Sequence, residues 1–436
     1  MSLGPLARRA PARLLRDRRF LVLLALGFSC GAPLPLAAGQ VLRQWFTESG
    51  LSLGAIGLTA LIGLAYANKF LWSPALDGVP APLRRLGQRR GWLLPIQAAL
   101  LLAILGIAAT DPTAGASATV VLAVLVAFLS ASQDIVVDAW RIEMLGEDEE
   151  AQAYGLAAYI WGYRLALLAA GAGTLLLVQH IGWSGAYAAA ALLMLPGLLA
   201  TLLGREEPRI RPAGAIGWRA RLRGSVLEPF LDFARRPGWA AILAFIALFK
   251  LGEALAGVMT TPFYRSLGFT REDVATVGTI FGMVAVLAGA LAGGWLVGRI
   301  GVARALILTG LMQMLSNLMY VALHQAGHSM PMLWLQVGVE NVTDGLADAA
   351  FLTYLAGLTS RAFTATQYAL LSSLAAVPLR TLGASAGWLA EGLGWTPFFL
   401  LTTAAALPAL GIMLWLLARY PPPPRTATDP PTALAA

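Results

Sequence analysis

Twelve apolar runs, each close to the length of a bilayer crossing, dominate this chain of 436 residues. A hydrocarbon core about 30 Å thick takes about 20 residues of α-helix to cross. Read between charged and Pro/Gly punctuation, the runs lie near 20–45, 52–76, 91–110, 117–144, 151–179, 183–203, 239–264, 272–298, 302–323, 331–357, 362–389 and 395–418. Charged residues make up 12% of the chain, where an average soluble domain carries about 25%. That is too little polar side chain to coat a soluble protein of this size, which excludes a soluble enzyme and a disordered chain. A single cysteine, Cys30, excludes a disulfide framework and a cysteine metal cluster. The first run follows basic residues as a secretory leader would, but it is too long and continues without a cleavage site, so it is expected to be a retained span.

The basic residues fix an orientation. With the N-terminus inside, 24 of the 31 Lys and Arg residues fall in cytoplasmic segments and three (Arg43, Arg265, Arg271) outside. The other four, Lys69, Arg164, Lys250 and Arg380, fall within spans. Under the positive-inside rule both termini are expected in the cytoplasm. The net charge of +8 is therefore a membrane pattern, not a nucleic-acid footprint.

The hydrophilic stretch 204–238 separates two blocks of six spans, 1–203 and 239–418. It is expected to be a basic cytoplasmic linker with an amphipathic helix on lipid headgroups. Residues 419–436 form a Pro-rich tail expected to be disordered. The blocks echo each other, Gly50-Leu51-Ser52-Leu53 opening the second span and Gly268-Phe269-Thr270-Arg271 the eighth. Six plus six spans with weak repeat symmetry is the major facilitator arrangement. The fold expected is an all-α membrane protein of about twelve spans in two pseudo-symmetric bundles, working as a monomer with a substrate site near the midplane.

Ionisable groups in hydrocarbon cost about 2.5–3.5 kcal/mol or more each and persist where they are paired or line water. Ten lie more than five residues inside the expected spans: Lys69, Asp134, Asp138, Arg164, Lys250, Glu253, Glu340, Asp344, Asp348 and Arg380. Helical rise puts Lys69, Asp134 and Arg164 at one level, and the spacing of four puts Asp134 and Asp138 on one face. They are expected to form one network. In the second block Glu340, Asp344 and Asp348 repeat every four residues as an acidic stripe, and Lys250 and Glu253 arrive at the levels of Asp348 and Asp344. Such groups are either salt bridges that fix helix packing or the lining of a polar cavity. In the second case bases bind an anionic substrate and acids carry protons, with Asp134 and Asp138 foremost and Glu253 and Asp344 behind them.

Weaker signals surround these charges. Gly27, Gly31, Pro33 and Pro35 interrupt the first span, as in the broken helices that line transport sites or in a simple kink. Gln40, Tyr66, Asn68, Gln133, Tyr159, Trp161, Tyr163, Asn341, Thr343, Gln367 and Tyr368 place amides, hydroxyls and rings within spans. Rings beside amides suit a sugar, although span aromatics also serve as packing and interface anchors. The substrate-binding set expected is Gln40, Tyr66, Lys69, Gln133, Tyr159, Arg164, Lys250, Glu340, Asn341 and Gln367. His324 and His328 lack a cysteine or paired acid, so no metal is expected, and no cofactor either. No GxSxG, P-loop or HExxH motif is present, which speaks against a hydrolase and against ATP-driven transport.

Six stretches resemble the AmpG-type muropeptide permeases of the major facilitator superfamily. They are LGFSCGAPLPLAAGQVLRQWF (26–46), the run from Gly50 to Asp77 containing YANKFLWSPALD, and SASQDIVVDAWRIEML (130–145), followed by GYRLALLAAG (162–171), FKLGEALAGVMTTPFYRSLGF (249–269) and FTATQYALLSSLAAVP (363–378). The resemblance implies proton-driven import across the bacterial inner membrane of N-acetylglucosaminyl-1,6-anhydro-N-acetylmuramic acid, with or without its peptide. That import would feed wall recycling and, in some bacteria, β-lactamase induction. By matching position it implies site roles for Gln133, Asp134, Asp138, Lys69, Arg164, Lys250 and Glu253. Asp77 with Arg84 and Arg85 resembles the major facilitator loop that gates the cytoplasmic side. VPLRTLGAS (377–385) departs from the family's usual eleventh span. The rival readings are a proton antiporter for an amphiphile and a transporter-like receptor.

Overall fold

In lipid every backbone polar group needs a partner within its own segment, and apart from turns and short links the described residues are helical, with no strand among them. The computed structural model describes residues 17–145, 149–204, 206, 233–358 and 364–420. Eight helical stretches among these are long and apolar enough to cross a membrane. One of them, Gly155–Leu203, holds the fifth and sixth expected spans, which meet at a corner where Gly182 takes φ 69°. The tenth and eleventh runs appear as Met330–Gly357 and as Thr364–Gly383 followed by Ala386–Leu393. All but the ends of the expected linker 204–238 and tail 419–436 lie outside the described residues.

The chain packs as two compact units, 1–50 with 68–213 and 51–67 with 214–436. The boundary inside the second expected span follows its backbone. That span runs as Leu53–Leu58, a tighter turn Thr59–Gly63, Leu64–Ala67, a second tight turn Lys69–Leu71, and Ser73–Gly78. Residues 51–67 press on the end of the eleventh span, where the Gly54 amide donates to Glu391 Oε1 at 3.0 Å.

Small residues set the closest crossings in each unit, as membrane packing favours. In the first unit Arg18–Gly31 lies against Glu149–Leu168 so closely that a Cβ on Gly27 would stand 2.1 Å from the Tyr159 carbonyl oxygen, and one on Gly162 would stand 2.0 Å from that of Leu24. In the second, Met330–Gly357 meets Gly282–Ile300 in the same way, with Gly345 against Val286 and Gly289 against Val342. Because the obstacle is backbone, it cannot swing aside. Gly27→Ala is expected to destabilise the protein by about 1–3 kcal/mol, read as a lower temperature for loss of monodisperse protein in detergent. Unchanged stability would contradict the close crossing.

Three breaks matter for the site. The first span divides into Arg18–Gly31, Pro33–Ala37 and Gln40–Glu48. Lys69 follows Asn68, whose backbone leaves the helix at φ −103°, ψ 11°. Lys250 stands at φ −104°, ψ 16° between Trp239–Leu248 and Leu251–Ser266. At the end of the first helix Asp17 caps the Arg19 amide, and the Arg19 side chain beside it holds its carboxyl below the usual carboxylate range.

Candidate functional site

Each unit carries one cluster of charge within its spans, and the two differ in tightness. In the first unit Lys69 Nζ lies 3.8 Å from an oxygen of Asp134 and 3.8 Å from one of Asp138. These separations exceed hydrogen-bond lengths, so attraction here is Coulombic and the ammonium keeps its donors for another group. Asp134 is 8% exposed, and its Oδ1 is buried without a well-formed hydrogen bond to any described residue, the weak thiol donor of Cys30 lying beside it. Asp138 is more open and meets Arg141 Nη2 at 3.9 Å. Arg141 is a member of this network that sequence reasoning missed; its place three residues after Asp138 was the available signal. Arg164 is exposed on its helix.

The backbone around Lys69 explains the placement. The tight turn Lys69–Leu71 rests on the fourth span through Trp72, whose indole N–H donates to Ser132 Oγ at 3.1 Å. Gln133, next to Asp134, is fully buried, with its amide nitrogen 3.3 Å from Cys30 Sγ and its oxygen accepting from Ser29 at 3.2 Å. It therefore ties the first span to the fourth directly behind Asp134.

In the second unit Lys250 is saturated. Its ammonium has three N–H bonds, and three carboxylates surround it: Glu253 at 2.9 Å, Asp344 at 2.7 Å and Asp348 at 2.6 Å. Gln313 adds a donor at 3.2 Å from Glu253 Oε2. It was legible only as a lone amide in an apolar run. One positive charge thus faces three negative ones, which leaves this cluster acidic. Glu340, expected in the same stripe, does not join Lys250. Its carboxylate accepts from the Tyr320 hydroxyl and from the Gln336 amide.

The remaining expected residues are dispersed. Asn341 donates to the Val337 carbonyl at 2.9 Å on its own helix. Tyr159 packs 6.3 Å from Tyr163, ring to ring. Gln40 and Tyr66 are half-buried, in the first and second units respectively. Arg84 and Arg85 are exposed on the turn Arg84–Leu86. The side chains of Asp77 and Gln367 lie outside the described residues. His324 and His328 do separate work, the first bonded to Thr396 at 2.8 Å and the second stacked on Phe269 at 4.6 Å.

An ion-pair lattice absent from the sequence reading braces the start of Gln88–Ala108. Glu206 accepts from the amides of Gln88, Arg89 and Arg90 at 2.7, 2.8 and 3.0 Å, where a helix presents unpaired N–H groups. The Arg89 guanidinium holds Glu143 by two bonds of 3.0 and 2.7 Å.

The sequence pattern of the Major Facilitator Superfamily matches residues 20–378. The Anhydromuropeptide permease of Escherichia coli (strain K12) is 39% identical over 92% of this chain and 80% of its own length. Putative transporter AmpG 4 of Rickettsia conorii is 32% identical over 93% of this chain and 98% of its own. Among solved structures, a peptide transporter POT in complex with sulfate shares the fold at TM-score 0.67 and 14% identity, covering 92% of this chain and 94% of that one. The apolar helices, the charges held inside them and these relatives agree on a multi-pass membrane transporter rather than an enzyme, and the chain belongs to the Major Facilitator Superfamily, in its AmpG-type muropeptide permease family.

Proposed function

We propose that this protein imports anhydro-muropeptides, N-acetylglucosaminyl-1,6-anhydro-N-acetylmuramic acid with or without peptide, across a bacterial inner membrane with protons, for peptidoglycan recycling. The observation that carries the substrate class is the 39% identity to an anhydromuropeptide permease along 92% of the chain. Proton coupling draws support from Asp134, a buried carboxylate with one oxygen near Lys69 and the other without a firm partner. Such a group can take up a proton when Lys69 turns to the substrate and release it when Lys69 returns. In this reading Lys69 and Arg164 meet substrate carboxylates, and Lys250 joins them when protonation of Glu253 or Asp344 frees one of its three N–H bonds. Gln40, Tyr66, Tyr159, Asn341 and Gln367 meet its sugars, and Gln133 holds Asp134 in place. Asp138, Glu253 and Asp344 share the charge bookkeeping of the cycle, while Asp77, Arg84 and Arg85 gate the inner side. The excess of Lys and Arg on one side supports termini in the cytoplasm.

Reconstituted protein tests this with labelled anhydro-disaccharide peptide. Uptake into liposomes should rise when the outside is made acidic and collapse with a protonophore. No uptake under that gradient would refute the importer, and transport only under the reversed gradient would identify an antiporter instead.

A further inference from the structure

The second unit holds a carboxylate that Lys250 does not serve. Glu340 lies one turn before Asp344 and has no ion pair among the described residues, whose Lys250 pairs all go to other acids. Both its oxygens accept from neutral groups, Oε1 from the Tyr320 hydroxyl and Oε2 from the Gln336 amide at 2.5 Å. The Gln336 oxygen accepts from the Tyr264 hydroxyl at 2.6 Å, and the Tyr320 ring is stacked on Phe399 at 4.4 Å and edge-on to Phe263 at 5.8 Å. The hydroxyl hydrogens around Glu340 can rearrange by rotation alone.

They can serve either charge state of Glu340. Thr260 Oγ1 lies 3.1 Å from the Ala256 carbonyl oxygen and 2.9 Å from the Tyr320 hydroxyl, and either hydroxyl can donate in the second contact. With Glu340 ionised, Tyr320 donates to the carboxylate and Thr260 to Tyr320. With a proton on Glu340 the run reverses: Glu340 donates to the Tyr320 oxygen, Tyr320 to Thr260, and Thr260 to the Ala256 carbonyl. The two charge states differ by the rotation of hydroxyls, with every heavy atom in place.

We infer that Glu340 is a second proton-binding group of the transport cycle, with Tyr320 and Thr260 as the hydroxyl pair that adapts to its charge. This rests on the proton-coupled reading above. The titratable groups that face it are Tyr264 on Leu251–Ser266, Tyr320 on Leu318–Ala326 and, one turn along its own helix, Asp344, which Lys250 holds. None of them brings a positive charge to Glu340.

Two measurements test it. In proteoliposomes two coupled protons support about hundredfold accumulation per pH unit of gradient and one proton about tenfold. Glu340→Gln should lower accumulation by about tenfold per pH unit, a larger fall than in the exchange of labelled for unlabelled substrate without a gradient. The double variant with Asp134→Asn should not accumulate at all. Infrared difference spectra between acid and alkaline purified protein should show a protonated-carboxyl band that is absent in Glu340→Gln and shifted in Tyr320→Phe. Wild-type accumulation by Glu340→Gln, an equal fall of exchange and accumulation, or an unchanged band would each overturn the inference. If the band behaves as expected while wild-type uptake ignores the gradient, it is the coupled-transport reading that fails, and with it the role of Glu340 in the cycle.

Discussion

Replacing Lys250 by methionine is expected to cost the protein about 3 kcal/mol, at the lower end of what removal of one partner from a buried ion pair costs. Lys250 is enclosed, its side chain 14% exposed, and it is the only described cation bonded to Glu253, Asp344 and Asp348 together. Without it three carboxylates on two spans repel one another. The lower end applies because Glu253 and Asp348 are partly open to solvent, at 30% and 41%, where water screens the repulsion. The check is the temperature at which detergent-solubilised protein loses its monodisperse peak. Adding Asp344→Asn and Asp348→Asn to Lys250→Met should restore most of that temperature, since two of the three uncompensated charges go with them. A Lys250→Met protein as stable as wild type would mean that the cluster is not held together by that ammonium.

The second large effect is on transport. Asp134→Asn is expected to lower gradient-driven accumulation by about tenfold per pH unit, the contribution of one proton, because an amide cannot take the proton that Lys69 leaves behind. Asp138→Asn should do less: its side chain is 43% exposed and shares its charge with Arg141, against 11% for Asp134. Uptake of labelled substrate at two external pH values separates the pair. Equal loss in both variants would place the proton on the cluster as a whole rather than on Asp134.

Much of this could be read from the residues alone. Each of the twelve apolar runs has a helical counterpart among the described residues, because in lipid an apolar run has no other stable state. The pairing of Lys69 with Asp134 and Asp138 followed from depth and the spacing of four. The same spacing put Glu340 in one stripe with Asp344 and Asp348 but did not say what it meets. Four residues turn an α-helix by about 400°, so each step drifts by about 40°, and two steps climb about 12 Å. Over that distance the stripe leaves Lys250 and reaches Tyr320 on another helix, which no count along a single helix could reveal. The subdivision of the second span was illegible for a related reason, since tight turns and α-helix share the same apolar composition. The hold of Glu206 on three distant amides depends on tertiary approach and leaves no local pattern.

Lys69 and Lys250 both stand where their spans lose regular α-geometry. A side chain rooted in an unbroken rod can be redirected only by moving the rod. One rooted at a joint shares its position with peptide groups that already lack in-line partners, so a small torsional adjustment there swings the ammonium through a wide arc and leaves the helical arms intact. These two lysines are thus mounted on hinges, and whatever pulls on them levers the backbone as well.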